Sequence, residues 1–114
     1  MLYNASFLTE KMSEKALRYL LNSEFKDGIV AGMPKDIVVA HKFGERFLTD
    51  QGIKQLHEVG IIYYPQNPYL LGIMTRGKDF SGQAKVIHDI SELIYNEVDS
   101  QVKRWRVEDY ISEF

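Results

Sequence analysis

The chain has no cysteine, which removes disulfide frameworks, thiol catalysis and zinc–thiolate sites together and leaves the compartment open. Proline is scarce. Its three residues, Pro34, Pro65 and Pro68, fall in connectors and leave the longer periodic stretches unbroken. No apolar run approaches the roughly 20 residues that a membrane span needs, and Met1-Leu2-Tyr3-Asn4 lacks the basic and apolar regions of an export signal. Net charge is only −2 with lysines and arginines scattered, so the footprint of a nucleic-acid binder is missing. There is no internal repeat and no low-complexity segment.

What remains is ordinary for a globular protein, 45% apolar and 26% charged over 114 residues, enough for one domain with a core of its own. A first helix is expected from Ser13 as its cap, with Ala16, Leu17, Leu20 and Leu21 on one face. Three apolar runs follow. Ile37–Ala40 continues into His41-Lys42-Phe43-Gly44 and reads as a central strand. Gln55–Tyr64 and Tyr69–Thr75, joined by Pro65-Gln66-Asn67-Pro68, read as an antiparallel hairpin. A turn is expected at Asp50-Gln51-Gly52. The strands are apolar at odd and even positions alike, as where both faces of a sheet are covered. A second helix runs from about Asp79 or Ser81 to about Val102, with Phe80, Ala84, Ile87, Ile90, Leu93, Ile94 and Val98 at helical spacing. Trp105, Val107, Tyr110, Ile111 and Phe114 then mark a terminal amphipathic tail. The expected fold is α+β: a three-stranded antiparallel sheet flanked by an N-terminal and a long C-terminal helix, with residues 1–102 as its body and 103–114 as the tail.

The candidate chemistry lies at the end of the first strand. A lysine, one residue and a glycine after a buried run set a cation beside backbone that no side chain blocks, where an anionic group can be received. Lys42 and Gly44 occupy those positions. A strand-end lysine is commonly just a solvated charge, and both readings stand. His41 alternates with Lys42 and should face the other way, as a core or edge histidine. His57 and His88 sit on separate elements with no ligand spacing between them, so neither a metal nor a cofactor is implied. Ser-x-x-Lys occurs at Ser23–Lys26 and Ser100–Lys103, but neither serine starts a sheltered helix as an activated nucleophile would. Tyr63, Tyr64 and Tyr69 read as packing residues of the hairpin.

Five segments in register resemble the C-terminal part of class A β-lactamases and related penicillin-recognising serine hydrolases. They are Ala31-Gly32-Met33-Pro34, Val39-Ala40-His41-Lys42-Phe43-Gly44-Glu45, Val59-Gly60-Ile61-Ile62-Tyr63, Pro68-Tyr69-Leu70-Leu71-Gly72-Ile73-Met74-Thr75, and the long helix that follows. The similarity covers roughly residues 8 to 98 and would correspond to less than half of a complete family member. It implies that Lys42 attracts a substrate carboxylate and arranges the proton network of a catalytic serine. Gly44 would leave the substrate room, and the Glu45 N–H would form half of an oxyanion hole. Phe43 stands where the family carries Thr or Ser, so the substrate-binding set Lys42, Phe43 and Gly44 lacks a hydroxyl for the carboxylate. Ser-x-Asn and Tyr-x-Asn are absent, as is a glutamate-bearing loop for deacylation.

The resemblance therefore implies an inactive half of an acyl-transfer site, taking a β-lactam-like amide or ester when another segment supplies the serine. A full-length parent of this family would be exported. The alternative is a non-enzymatic interaction domain that oligomerises or binds a partner chain through a sheet edge or the tail.

Overall fold

In the computed structural model, residues 3–48 and 52–112 are described, with side chains as far as Val107. The first helix, α1 (Glu10–Leu21), starts one turn earlier than Ser13: the Thr9 side chain accepts the Met12 N–H at 3.2 Å and caps it. Ser13 lies inside the helix and is buried. Ala16, Leu17, Leu20 and Leu21 are half-buried, and Leu17 and Leu21 border a shallow groove with Val38 and Tyr63. A short 3₁₀ turn at Val30–Gly32 leads to the sheet.

The strands are β1 (Val39–Phe47), β2 (Lys54–Ile62) and β3 (Tyr69–Gly77), in the order β1-β2-β3 and antiparallel throughout. The β2–β3 turn closes through Asn67 N–H to Tyr64 O at 2.9 Å. Its Pro65 precedes Gln66 at φ 64°, the order a type II turn requires. The turn expected at Asp50-Gln51-Gly52 falls largely outside the described residues.

Register divides the sheet into two faces. Val39, His41 and Phe43 stand across from Ile62, Gly60 and Glu58, which stand across from Tyr69, Leu71 and Ile73. This inner face carries the core, with Leu56, Ile62, Leu71 and Ile73 packed against Phe25, Ile29, Ala84 and Ile87. Each fully buried Leu or Ile contributes about 1.5–3 kcal/mol relative to exposure. The outer face is covered unevenly: Ala40 is buried, whereas Val59, Leu70 and Met74 are 50%, 72% and 78% exposed. The expectation of two covered faces therefore fails away from α1.

The second helix, α2 (Phe80–Ser112), opens with the Asp79 carboxylate accepting the Gly82 N–H at 3.1 Å. It lays Phe80, Ala84, Ile87, Ser91, Ile94 and Val102 inward, while Ile90 and Leu93 are exposed. Ser91 takes the central position because Gly32 leaves no room for more; a Cβ on Gly32 would collide with Ser91 Oγ. The helix continues past Val102, where the sequence expectation placed its end, to Ser112. At 1.5 Å per residue it is about 50 Å long, and it accounts for the molecule's 64 Å long axis beside extents of 34 and 22 Å. The tail side chains Tyr110, Ile111 and Phe114 lie outside the described residues.

Candidate active site at the open edge of the first strand

β1 is an edge strand, and its peptide groups alternate between the ladder and the open side. Tyr63 N–H reaches Val38 O at 3.0 Å and Leu48 N–H reaches Ile53 O at 2.9 Å. Both bonds engage even-numbered residues of the β1 side. By alternation the even positions, Ala40, Lys42 and Gly44, face the ladder through their peptides. The odd positions, His41, Phe43 and Glu45, turn their N–H and C=O groups outward. The Glu45 N–H is thus an open donor.

Side chains alternate by the other rule, normal to the sheet. Lys42 and Gly44 share the outer face, and both are exposed. The Lys42 ammonium folds back to donate to Phe43 O at 2.8 Å and lies 5.0 Å from the Phe43 ring centre. Around Gly44 nothing lies within 4 Å of where a Cβ would be. Cation, bare peptide and open N–H therefore occupy neighbouring positions on one free edge. Phe43 itself points inward and stacks on Phe25 at 4.6 Å, 29° from parallel, and the Lys42 ammonium reaches its ring by folding around the free strand edge.

His41 also points inward, as alternation with Lys42 requires, and is buried. Its Nδ1 lies 2.6 Å from Glu58 Oε2, and Glu58 Oε1 accepts the Ile29 N–H at 2.8 Å. Sequence reading missed Glu58. The available signal was a carboxylate in step with Leu56, Gly60 and Ile62, the inward positions of β2.

The Ser-x-x-Lys pairs are not joined to Lys42. Ser23 and Lys26 lie in the loop after α1, and Lys103 is engaged by Asp99 at 2.9 Å on α2. On the flank of α2 the structure brings His88, Asp89 and Glu92 together, their ligand atoms within 4.8 Å of one another. Asp89 and Glu92 are exposed and His88 half-buried, and they engage each other and Lys85: His88 stands 3.6 Å from Asp89 and 3.5 Å from Glu92, and Lys85 3.1 Å from Asp89. No described helix is long and apolar enough to cross a membrane.

This antiparallel sheet with its short and long helices superposes on part of the fold of class A β-lactamases. The class A β-lactamase from Bacteroides cellulosilyticus DSM 14838 superposes with a TM-score of 0.75 at 20% identity, over 87% of this chain and 38% of that one. A β-lactamase from Chitinophaga pinensis DSM 2588 gives 0.70 at 20% identity, over 85% and 37%. The protein PBP-A gives 0.70 at 18%, over 87% and 36%; a variant of it has been solved as an acyl-enzyme complex with penicillin G. At such identities the likeness is one of fold, and the chain spans less than two fifths of each structure. No curated protein sequence matches.

The model of the β-lactamase enzyme family matches residues 1–98. The chain belongs to that family.

Proposed function

We propose that this chain supplies the lysine–x–glycine strand of an acyl-transfer site in a β-lactamase-like serine hydrolase. The observation that carries the reading is the open edge of β1, where the Lys42 ammonium, the unobstructed Gly44 and the outward Glu45 N–H follow one another. Lys42 draws the carboxylate of an amide or ester substrate of the β-lactam type and orients it along the edge. Gly44 lets the substrate lie against the peptide. As the carbonyl carbon becomes tetrahedral, its oxygen gains charge, and the Glu45 N–H donates to it there; loss of one such donor costs about 10²–10³ in rate.

The nucleophilic serine is assigned to polypeptide outside these 114 residues. Without it, a positive wall and an oxyanion donor fall orders of magnitude short of turnover. Mixed with a chromogenic β-lactam or a simple ester, the purified chain is expected to be inert. Joined to coding sequence that carries an in-frame Ser-x-x-Lys, it is expected to turn over the substrate, and Lys42→Ala should then lower kcat/KM by about 10²-fold. Turnover indifferent to Lys42→Ala would overturn the assignment.

A second reading, a non-enzymatic domain that oligomerises or binds a partner chain, is favoured by the exposure of Val59, Leu70 and Met74 together on the outer face. Light scattering tests it. A dimer mass that reverts on Leu70→Lys with Met74→Lys supports this reading, and a monomer at all concentrations rejects self-association.

A further inference from the structure

Among the described residues Glu58 is the one fully buried carboxylate, and neither it nor His41 takes part in the proposed chemistry. Its two oxygens hold two separate pieces of chain. Oε1 accepts the Ile29 N–H of the loop before β1 at 2.8 Å, and Oε2 meets His41 Nδ1 on β1 at 2.6 Å. A contact that short between an imidazole nitrogen and a carboxyl oxygen encloses a proton; with Glu58 ionised, Nδ1 is its donor. Gly28 makes the approach possible, since a Cβ there would collide with Oε1. Among the described residues His41 Nε2 is buried without a partner. The ring is therefore held by one nitrogen alone.

We infer that Glu58 is a positioning residue: acting through His41, it fixes the strand that presents Lys42 and the Glu45 N–H against the Ile29 loop. His41 and Lys42 are consecutive and face opposite ways, so clamping the inward ring sets the direction in which the lysine leaves the strand. Of the carboxylate's two anchors one belongs to β1 and one to the loop, which couples the edge to the layer beneath it. The catalytic consequence rests on the function proposed above; the clamp itself rests on the geometry alone.

The test uses the full chain, ¹⁵N-labelled, native and Glu58→Leu, followed by NMR hydrogen exchange and by the ring nitrogen shifts of His41. The introduced leucine has a similar volume but offers no acceptor to either Ile29 N–H or His41 Nδ1, so both anchors are removed together. In the native chain the His41 proton is expected on Nδ1, exchanging slowly together with the Ile29 amide. In Glu58→Leu the ring and the Ile29 amide lose that protection. The Lys42 and Gly44 amides should then exchange at least roughly tenfold faster, while α2 amides keep their native rates. Uniform acceleration of all amides, or unchanged rates at Lys42 and Gly44, would overturn the inference. If the variant fails to fold, the native chain still decides, because a His41 ring proton or an Ile29 amide exchanging as fast as an exposed group contradicts the clamp. Failure of the acyl-transfer reading is seen separately, as indifference to Lys42→Ala, and leaves these exchange rates untouched.

Discussion

The Tyr64 hydroxyl donates to Asp99 Oδ1 at 2.6 Å, tying the end of the β2 segment to the middle of α2. This bond, and next to it that from Lys103, holds the Asp99 carboxyl below its ordinary value of 3.8. A carboxyl with a depressed folded pKa stabilises above its unfolded value, and that stabilisation disappears as pH falls through the folded one. Asp99→Asn should therefore flatten the acid limb of stability below about pH 4. Thermal melts by circular dichroism across this range check it; parallel limbs for native and variant would reject it.

Burial pushes the Tyr69 hydroxyl up to about 12, and that hydroxyl has no hydrogen-bond partner among the described residues. Its neutral form is the one the fold favours. The contribution is complete below the ordinary value of 10.0 and lost as pH rises toward about 12. Tyr69→Phe removes an unpaired polar group, so stability at neutral pH should hold or rise by about 1 kcal/mol, and the alkaline decline should soften. Urea titrations at neutral and alkaline pH measure both effects, and a loss at neutral pH would show that the hydroxyl is satisfied.

Gly32 and Gly28 should resist substitution where Gly44 accepts it. A Cβ on Gly32 would meet His88 O at 2.6 Å and Glu92 N at 2.9 Å, and one on Gly28 would collide with Glu58 Oε1. Gly32→Ala drives side chain into backbone and should cost about 3 kcal/mol, with Gly28→Ala costing about 1–3. Gly44→Ala has open space and should stay within about 0.5 kcal/mol of native stability, while impairing the acyl transfer proposed for this edge. Chemical denaturation of the three variants separates them, and equal losses would refute the packing argument.

Lys42→Ala tests whether the cation is structural. Its ammonium is exposed and engages only the neighbouring carbonyl oxygen and the face of the Phe43 ring, so the melting temperature should move by no more than a few degrees, below about 1 kcal/mol. A large fall would mean that the lysine holds the free edge of β1 together.

Much of this architecture was legible because the strands are dense in Ile, Val, Leu and Tyr and are punctuated by Pro65 and Pro68. Lys42 and Gly44 are nominated by their spacing after an apolar run and Glu45 by the resemblance, and the backbone parity of β1 sets the three on one free edge. The remainder depended on contacts that no local pattern encodes. Glu58 looks like a solvated charge until the fold brings His41 and Ile29 to it. Ile90 and Leu93 fit the helical stripe, yet the inward position went to Ser91, since Gly32 comes so close that only a small residue fits. Thr9 was overlooked as a cap because Ser13 offered the same chemistry one turn later. The reach of α2 to Ser112 had a readable cue, the lack of any Gly or Pro after Gly82.

The odd–even order of β1 makes the strand intolerant of a change in length. One residue inserted between Pro34 and His41, with the segment ahead of it held in place so that the strand beyond slips by one, would carry the ammonium to the helix side among Phe25 and Ile87 and send the histidine out to water. A residue deleted there would do the same in reverse. Evolution could exchange side chains freely along such a strand, but it could alter the spacing ahead of it only by two.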